Sequence, residues 1–347
     1  MNERYATDEA LANERAVADL EHVEVLSLRT QVEVLQAELE ECRAASFIYV
    51  SSGSNIQEAI NDSPPGANLQ LVGEFETRTL TPKEGQTFRG PATIVPLGLS
   101  DNNEDGFRCK GVEDVTFVDL DISGFGRHGI GCWIGTTVRG GRLHHNRKDG
   151  IGGDLEGLPS RIFVENAEID NNGSQFWLGA GSAGAKFFHS HGVTVNNCNV
   201  HGNIGNGVWC DAQCGDWIVT NNRIEYNTRK GVFYEKGGAG DGTISGRSYA
   251  IYEGFALIEN NTIVSNNTEG VNNANPGVAI YSSKNVAVLR NTFGGNGNAI
   301  IVRNDPKRIN DEKHGWMASN VTLDGNSLNG DRIVGCDLVG VVCEDNA

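Results

Sequence analysis

One pattern constrains this chain more than any other, a degenerate repeat spanning residues 111–328. A single apolar residue anchors each unit, at Ile122, Leu143, Ile169, Val200, Ile224, Ile263, Phe293 and Leu328. Three positions later, six of these eight units carry asparagine: Asn146, Asn172, Asn203, Asn227, Asn266 and Asn296. Seven positions after the anchor come glycine and an aliphatic, at Gly129-Ile130, Gly150-Ile151, Gly207-Val208, Gly231-Val232 and Gly270-Val271. Two positions before it, asparagine recurs at Asn222, Asn261, Asn291 and Asn326. The unit reads N-x-Φ-x-x-N-x-x-x-G-Φ, where Φ is aliphatic or Phe.

Each part of the unit has a physical use. The Φ positions belong to short strands that alternate inward and outward. Asparagine tolerates left-handed backbone at a bend, and its amide can bond to the same residue one layer away. Glycine permits the next bend. Ile122 and Leu143 are 21 residues apart, and Val200 and Ile224 are 24 apart, about the length of one turn of a parallel solenoid. Longer gaps place insertions at corners, around residues 173–191, 237–254 and 272–277, where a solenoid tolerates them. The pattern predicts an all-β solenoid: a right-handed, single-stranded parallel β-helix of roughly ten rungs, spaced ~4.8 Å apart.

Residues 1–46 are different. They contain no Gly and no Pro, and from Val25 their apolar residues alternate three and four apart: Val25, Leu28, Val32, Leu35, Leu39 and Cys42. This is a heptad seam, with Val or Leu at a and Leu at d; Glu24 can pair with Arg29 of a neighbour, and Glu38 with Arg43. Leu11 and Ala18 extend the seam, and Glu14 and Glu21 interrupt it. The segment is expected to be an α-helical coiled-coil stalk that associates copies of the chain through residues 11–42. Val at a with Leu at d leans to dimers in isolated peptides, a preference that a trimeric domain below can override. Residues 47–75 then read as an N-terminal cap: a strand with Ile48 and Val50, a short helix over 56–61 capped by Ser54 or Asn55, a stop at Pro64-Pro65-Gly66, and a strand over 69–72. Less regular rungs follow over 76–110, the Asn/Gly rungs occupy 111–330, and 331–347 forms a C-terminal cap of the 47–347 domain.

Charge and composition exclude several functions. The formal net charge is −17, which disfavours nucleic acid and anionic membrane as partners. Acidic polysaccharides are repelled too, unless a cation bridges them or local Lys and Arg line the site. The first residues carry no apolar h-region, so no signal peptide is read, and no stretch is long and apolar enough for membrane insertion. Eight cysteines are too sparse for a disulfide scaffold. Cys132 and Cys210 fall at equivalent inward positions and are expected to be buried thiols; Cys210 and Cys214 carry little weight as metal ligands.

A strand, a short Ile56-Gln57-Glu58-Ala59-Ile60-Asn61 helix, a Pro-Gly turn, a strand and then Asn/Gly rungs resemble the start of the pectin-lyase-like superfamily. That family consists of right-handed parallel β-helix proteins, among them polysaccharide lyases, hydrolases, epimerases and phage tailspikes. The likeness covers residues 47–347. A helical segment ahead of a β-helix, with no export signal, further resembles a phage tail fibre or tailspike, proteins that are usually homotrimers. The resemblance implies a virion tail protein made in the host cytoplasm, with other tail proteins and cell-surface polysaccharide as partners.

The strands that follow each Gly-Φ offer the places for chemistry. With Φ inward, the next residue faces out, the next in, the next out. Trp209 and Asp211 then face out on the rung of Val208, and Phe233 and Glu235 on that of Val232. Asp154 takes the same place on the rung of Ile151, and Trp133 faces out on that of Ile130. Asp211 and Glu235 share a column on adjacent rungs, which suits a retaining-glycosidase pair or a cation site, with Asp154 in support. Trp209, Phe233, Trp133 and Trp177 are candidate glycan-stacking residues, and Lys186 and Lys230 lie beside them. The plain alternative is a solvated face with aromatics covered by a neighbouring chain. His128, His144, His145, His189, His191 and His201 lack metal-site spacing and are read as corner or stacking residues. No resident metal or cofactor is expected, with calcium the one open candidate. The epimerase run Tyr-Gly-Phe-Asp-Pro-His is missing; the nearest segment, residues 126–131, lacks its Asp and Pro. The expected function is an oligomeric phage tail protein that contacts host-surface polysaccharide. The alternatives are a glycan depolymerase, more a hydrolase than a lyase or epimerase, and a structural scaffold.

Overall fold

The computed structural model of the chain describes residues 47–156, 159–174, 181–212, 214–237, 242–244, 247–249, 254–269, 275–304 and 317–347. The expected stalk over 1–46 and the candidate Trp177 lie outside these residues. The rest is a parallel β-helix, whose rungs each pass through three faces.

The first face runs from Ile48–Ser51 through strands such as Pro159–Glu165, His191–Asn196 and Gly215–Thr220 to Ser319–Asp324 and Val341–Glu344. The second face is built of three-residue strands: Arg142–His144, Glu168–Asp170, Asn199–His201, Arg223–Glu225, Thr262–Val264 and Thr292–Gly294. The third face is a nine-stranded parallel sheet running from Phe107–Arg108 to Arg332–Val334. Apart from one short antiparallel pair, Gly242–Ile244 with Arg247–Tyr249, all described pairings are parallel.

The repeat maps onto this frame. Seven of the eight anchors, from Ile122 to Phe293, form one inward column on the second face, in register from rung to rung and buried. The aliphatics after glycine form the matching column on the third face, Ile130, Ile151, Ala185, Val208, Val232 and Val278, which Ile300 and Ile333 continue without the glycine. Gly270-Val271 was expected there and lies outside the described residues; Gly277-Val278 takes the place.

Asparagine holds the corners. Asn146, Asn172, Asn203, Asn227, Asn266 and Asn296 form a buried ladder, each Nδ2 donating to the next Oδ1 at 2.9–3.1 Å. Asn296 donates to Asp331 Oδ2 at 2.9 Å, so a carboxylate ends the series. A second ladder joins Asn222, Asn261, Asn291, Asn326 and Asn346. The backbone N–H of each rung donates to the same Oδ1, and Nδ2 also reaches a strand carbonyl, so the buried amides are satisfied.

The ends follow the same logic. Ile56–Asp62 is a helix with Ile56 and Ile60 buried, and the Asn55 side chain accepts from Glu58 N at 3.2 Å. At the far end Arg332–Val334 and Val341–Glu344 continue the third and first faces, joined through a Cys336–Cys343 disulfide. Cys210 corrects an expectation: it is bonded to Cys214 rather than free. The Cα atoms of Cys210 and Cys214 lie 6.1 Å apart, a proximity that strand periodicity alone did not convey. Cys109, Cys132 and Cys198 are the free, buried thiols among the described residues. No described helix is long and apolar enough to cross a membrane.

Candidate functional site on the third face

Register places Asp154, Lys186, Trp209, Asp211, Phe233 and Glu235 in the outward columns of the third face, with Lys230 just ahead of its strand. One outward column is Gly131, Gly152, Lys186, Trp209, Phe233, Ala279 and Ile301. The next is Asp154, Phe188, Asp211, Glu235, Tyr281 and Arg303. Asp211 and Glu235 are therefore partners on adjacent strands, while Phe188 separates Asp154 from Asp211.

The side chains are more engaged than the alternation suggests. Lys186 Nζ pairs with Asp211 Oδ2 at 2.9 Å, donates to Gly181 O at 3.1 Å and lies 3.9 Å from the Trp209 ring centre. Trp209 stacks on Phe233 at 5.4 Å, and Phe233 meets Tyr281 edge-on at 5.0 Å. Lys230 Nζ sits 4.4 Å from the Phe233 ring, and the Arg303 guanidinium 3.7 Å from that of Tyr281. Phe233, Ala279, Tyr281 and Ile301 form a small apolar cluster of their own, with Trp209 packed on it. Such ring pairs and cation contacts add to the area they bury.

Two glycan-stacking expectations need correction. Phe233 is 6% exposed, because Trp209, Tyr281 and Lys230 occupy its surroundings. Trp133 is 8% exposed and belongs to the main core, with Lys110 over its ring. Trp209 keeps part of its surface open, although a Cβ at Gly181 would meet its ring at 2.5 Å. Glu235 is buried at 7%, and a metal ion between it and Asp211 would have to displace Lys186. Burial pushes Lys230 down to about 8; the charges of Arg229 and Arg303 add to this, and that of Glu235 opposes it.

Three constellations escaped the reading of the sequence. Asp154 Oδ1 contacts His189 Nδ1 at 3.1 Å; burial raises this carboxyl, but the His189 and Glu156 N–H contacts outweigh it and hold it below the usual range. At the N-terminal end of the face, buried His128 Nδ1 lies 3.1 Å from Asp149 Oδ2, with Lys148 4.0 Å from the same oxygen. Gly152 makes room for this pair, since a Cβ there would lie 3.0 Å from Asp149 Oδ2 and 3.1 Å from His128 Nδ1. Burial lowers His128 despite the carboxylate, and Asp149 is also held low: its own burial is outweighed by His128, Lys148 and Lys186. The Gly-Φ-Gly runs 129–131 and 150–152 were the visible signal. On the second face, ligand atoms of Glu168, Asp170 and His201 lie within 4.8 Å of one another. Arg142 already holds Asp170 through two 2.7 Å bonds, so this group is an ion-pair network.

Residues 105–251 match the family model of the right handed beta helix region. In sequence, no curated protein matches the chain. Among solved structures, the A-module of mannuronan C-5 epimerase AlgE4 from Azotobacter vinelandii superposes with a TM-score of 0.55 at 14% identity, over 84% of this chain and 89% of that one. A double mutant of the periplasmic alginate epimerase AlgG gives 0.54 at 13% identity, over 86% and 84%. The Dettilon tailspike protein gives 0.52 at 16% identity, over 87% of this chain and 66% of that one. These likenesses establish a right-handed parallel β-helix fold.

Proposed function

We propose that this protein is a phage tail-associated β-helix of the tailspike kind, oligomeric, that contacts host cell-surface polysaccharide along its third face. The observation that supports this is the half-buried Trp209 ring on the outside of that sheet, held by Lys186 and backed by the buried Phe233 and Tyr281, with exposed Arg303 on the Tyr281 ring. A merely solvated strand face has no need of a ring-and-cation strip, whereas glycan sites combine aromatic surface with a few fixed polar groups. A tailspike shares the fold, as do epimerases, one of which is named for mannuronan. Residues 1–46 would hold copies together through their heptad seam and attach them to other tail proteins. The test is the native mass of the full chain and of a form starting at Phe47, with retention of each on envelope polysaccharide. The reading expects a trimer that weakens without the stalk and a glycan-retained β-helix. A monomer with no glycan affinity would overturn it.

A second reading, a glycan depolymerase, is favoured by the register pairing of Asp211 with Glu235 on adjacent strands. It expects Asp211→Asn and Glu235→Gln each to abolish release of reducing ends from a host glycan, with native mass unchanged. Full activity in both variants would remove these residues from any chemistry.

A further inference from the structure

The outer side of the first face carries a column without charge. Register runs it over ten strands, from Thr87 through Thr116 and Thr137 to Val342. Five of its members are threonine and five are apolar: Phe163, Ile218, Leu257, Ala287 and Val342. Nine are half-buried and Val342 is exposed. Two more apolar residues widen the column at its middle, exposed Phe255 two positions before Leu257 and half-buried Leu289 two positions after Ala287. The charges of this face stand in the next outward column, with Arg139, Glu165, Glu259, Asp324 and Glu344. The second face differs: one outward column has a charge on four of its first five strands, at Asp121, Arg142, Glu168 and Arg223. Strand propensity accounts for threonine and isoleucine on a solvated face, but not for the exclusion of lysine and glutamate from ten successive strands.

Parallel sheets are almost always covered on both faces. The core covers the inner side of this sheet. The charge-free column is the place for a cover on the outer side. Nine rung steps of ~4.8 Å make it about 43 Å long. A band ~20 Å wide along it presents roughly 800 Å², the area each partner of a stable interface buries. The occupant that suits an uncharged column is a second copy, parallel and at the same height. Around a rotation axis along the solenoid, each residue of the column meets its own counterpart. A charge there would face its own sign, and the column has none. The heptad seam agrees: it ends at Cys42, six residues before Ile48, where the first strand of this face begins. A parallel coiled coil sets its copies at one height.

We propose that neighbouring copies pack first face to first face along this column, in parallel around a common axis, with Leu257 at the centre of the contact. The inference rests on the proposed oligomer and deepens it, by naming the surface through which the β-helix joins its copies.

Cross-linking of the full chain tests it, in a Cys42→Ser background that removes the thiol of the seam. Under copper-phenanthroline oxidation, Leu257→Cys is expected to form a covalent pair of copies on a non-reducing gel. Thr292→Cys, exposed on the second face, is expected to stay single. Ile218→Cys, on the neighbouring strand, repeats the test where Leu257→Cys does not fold. In sedimentation, Leu257→Lys and Leu257→Glu should each weaken association at least tenfold, an equal mixture of the two should recover most of it, and Thr292→Lys should change nothing. Circular dichroism confirms that each variant folds. No covalent pair from folded Leu257→Cys and Ile218→Cys, or unaltered association in folded Leu257→Lys and Leu257→Glu, would overturn the interface while a stalk-held oligomer stands. Weakening by one sign of charge alone would overturn it too, since the column would then face a charged surface rather than its own copy. A monomeric wild-type chain takes the proposed oligomer away as well.

Discussion

At the scale of the residue, asparagine decides the corners. Each ladder amide joins two rungs through bonds to a side chain and to backbone, and all of it is buried. Replacing Asn227 by Leu strands the N–H groups of Asn203 and the Val200 carbonyl together. At about 1 kcal/mol or more per stranded group, the loss should be about 3 kcal/mol, read from urea unfolding. Asn61→Leu, which removes one exposed side-chain bond from Gln57, should cost far less. Acid should act through carboxylates held low in the fold, Asp149, Asp154 and Asp170. Their contribution is complete above the unfolded value of about 3.9 and is lost as pH falls below it. His128 acts earlier: with its folded value lowered, the unfolded chain takes up the proton first, so stability falls as pH drops below about 6.5. Folded His128→Asn should flatten the stability-versus-pH slope between about 6.5 and 5; an unchanged slope would remove His128 from the account.

At the scale of the element, the strand columns were legible in the sequence and their outer surroundings were not. Spacing alone placed seven anchors in one column and paired Asp211 with Glu235, because parallel register copies a motif from rung to rung. It did not show that Phe233 is buried, since that depends on how the Trp209 and Tyr281 rings of the two flanking strands and Lys230 turn over it. Tyr281 was hidden by the shift from Gly270-Val271 to Gly277-Val278, and Arg303 because Ala299 stands where earlier rungs have glycine. The two disulfides also differ by surroundings: Cys210 and Cys214 are buried, whereas Cys336 is exposed at the last rung. Under rising reductant, alkylation followed by mass analysis should label Cys336 and Cys343 well before Cys210 and Cys214. Opening the 336–343 loop should cost about 2 kcal/mol by chain entropy.

At the scale of the molecule, a solenoid gives an acidic chain three long faces, of which one carries a strip of rings and cations. Each rung contacts only its neighbours, so the face can present one pattern over many strands without altering the core. The central claim is that polysaccharide lies along that face. The most direct measurement is a crystal structure of the chain with an oligosaccharide of its host's envelope polysaccharide. The account predicts sugar density running along the solenoid axis over the outer side of the third face, between Lys186 and Arg303. Density confined to the first or second face would contradict it.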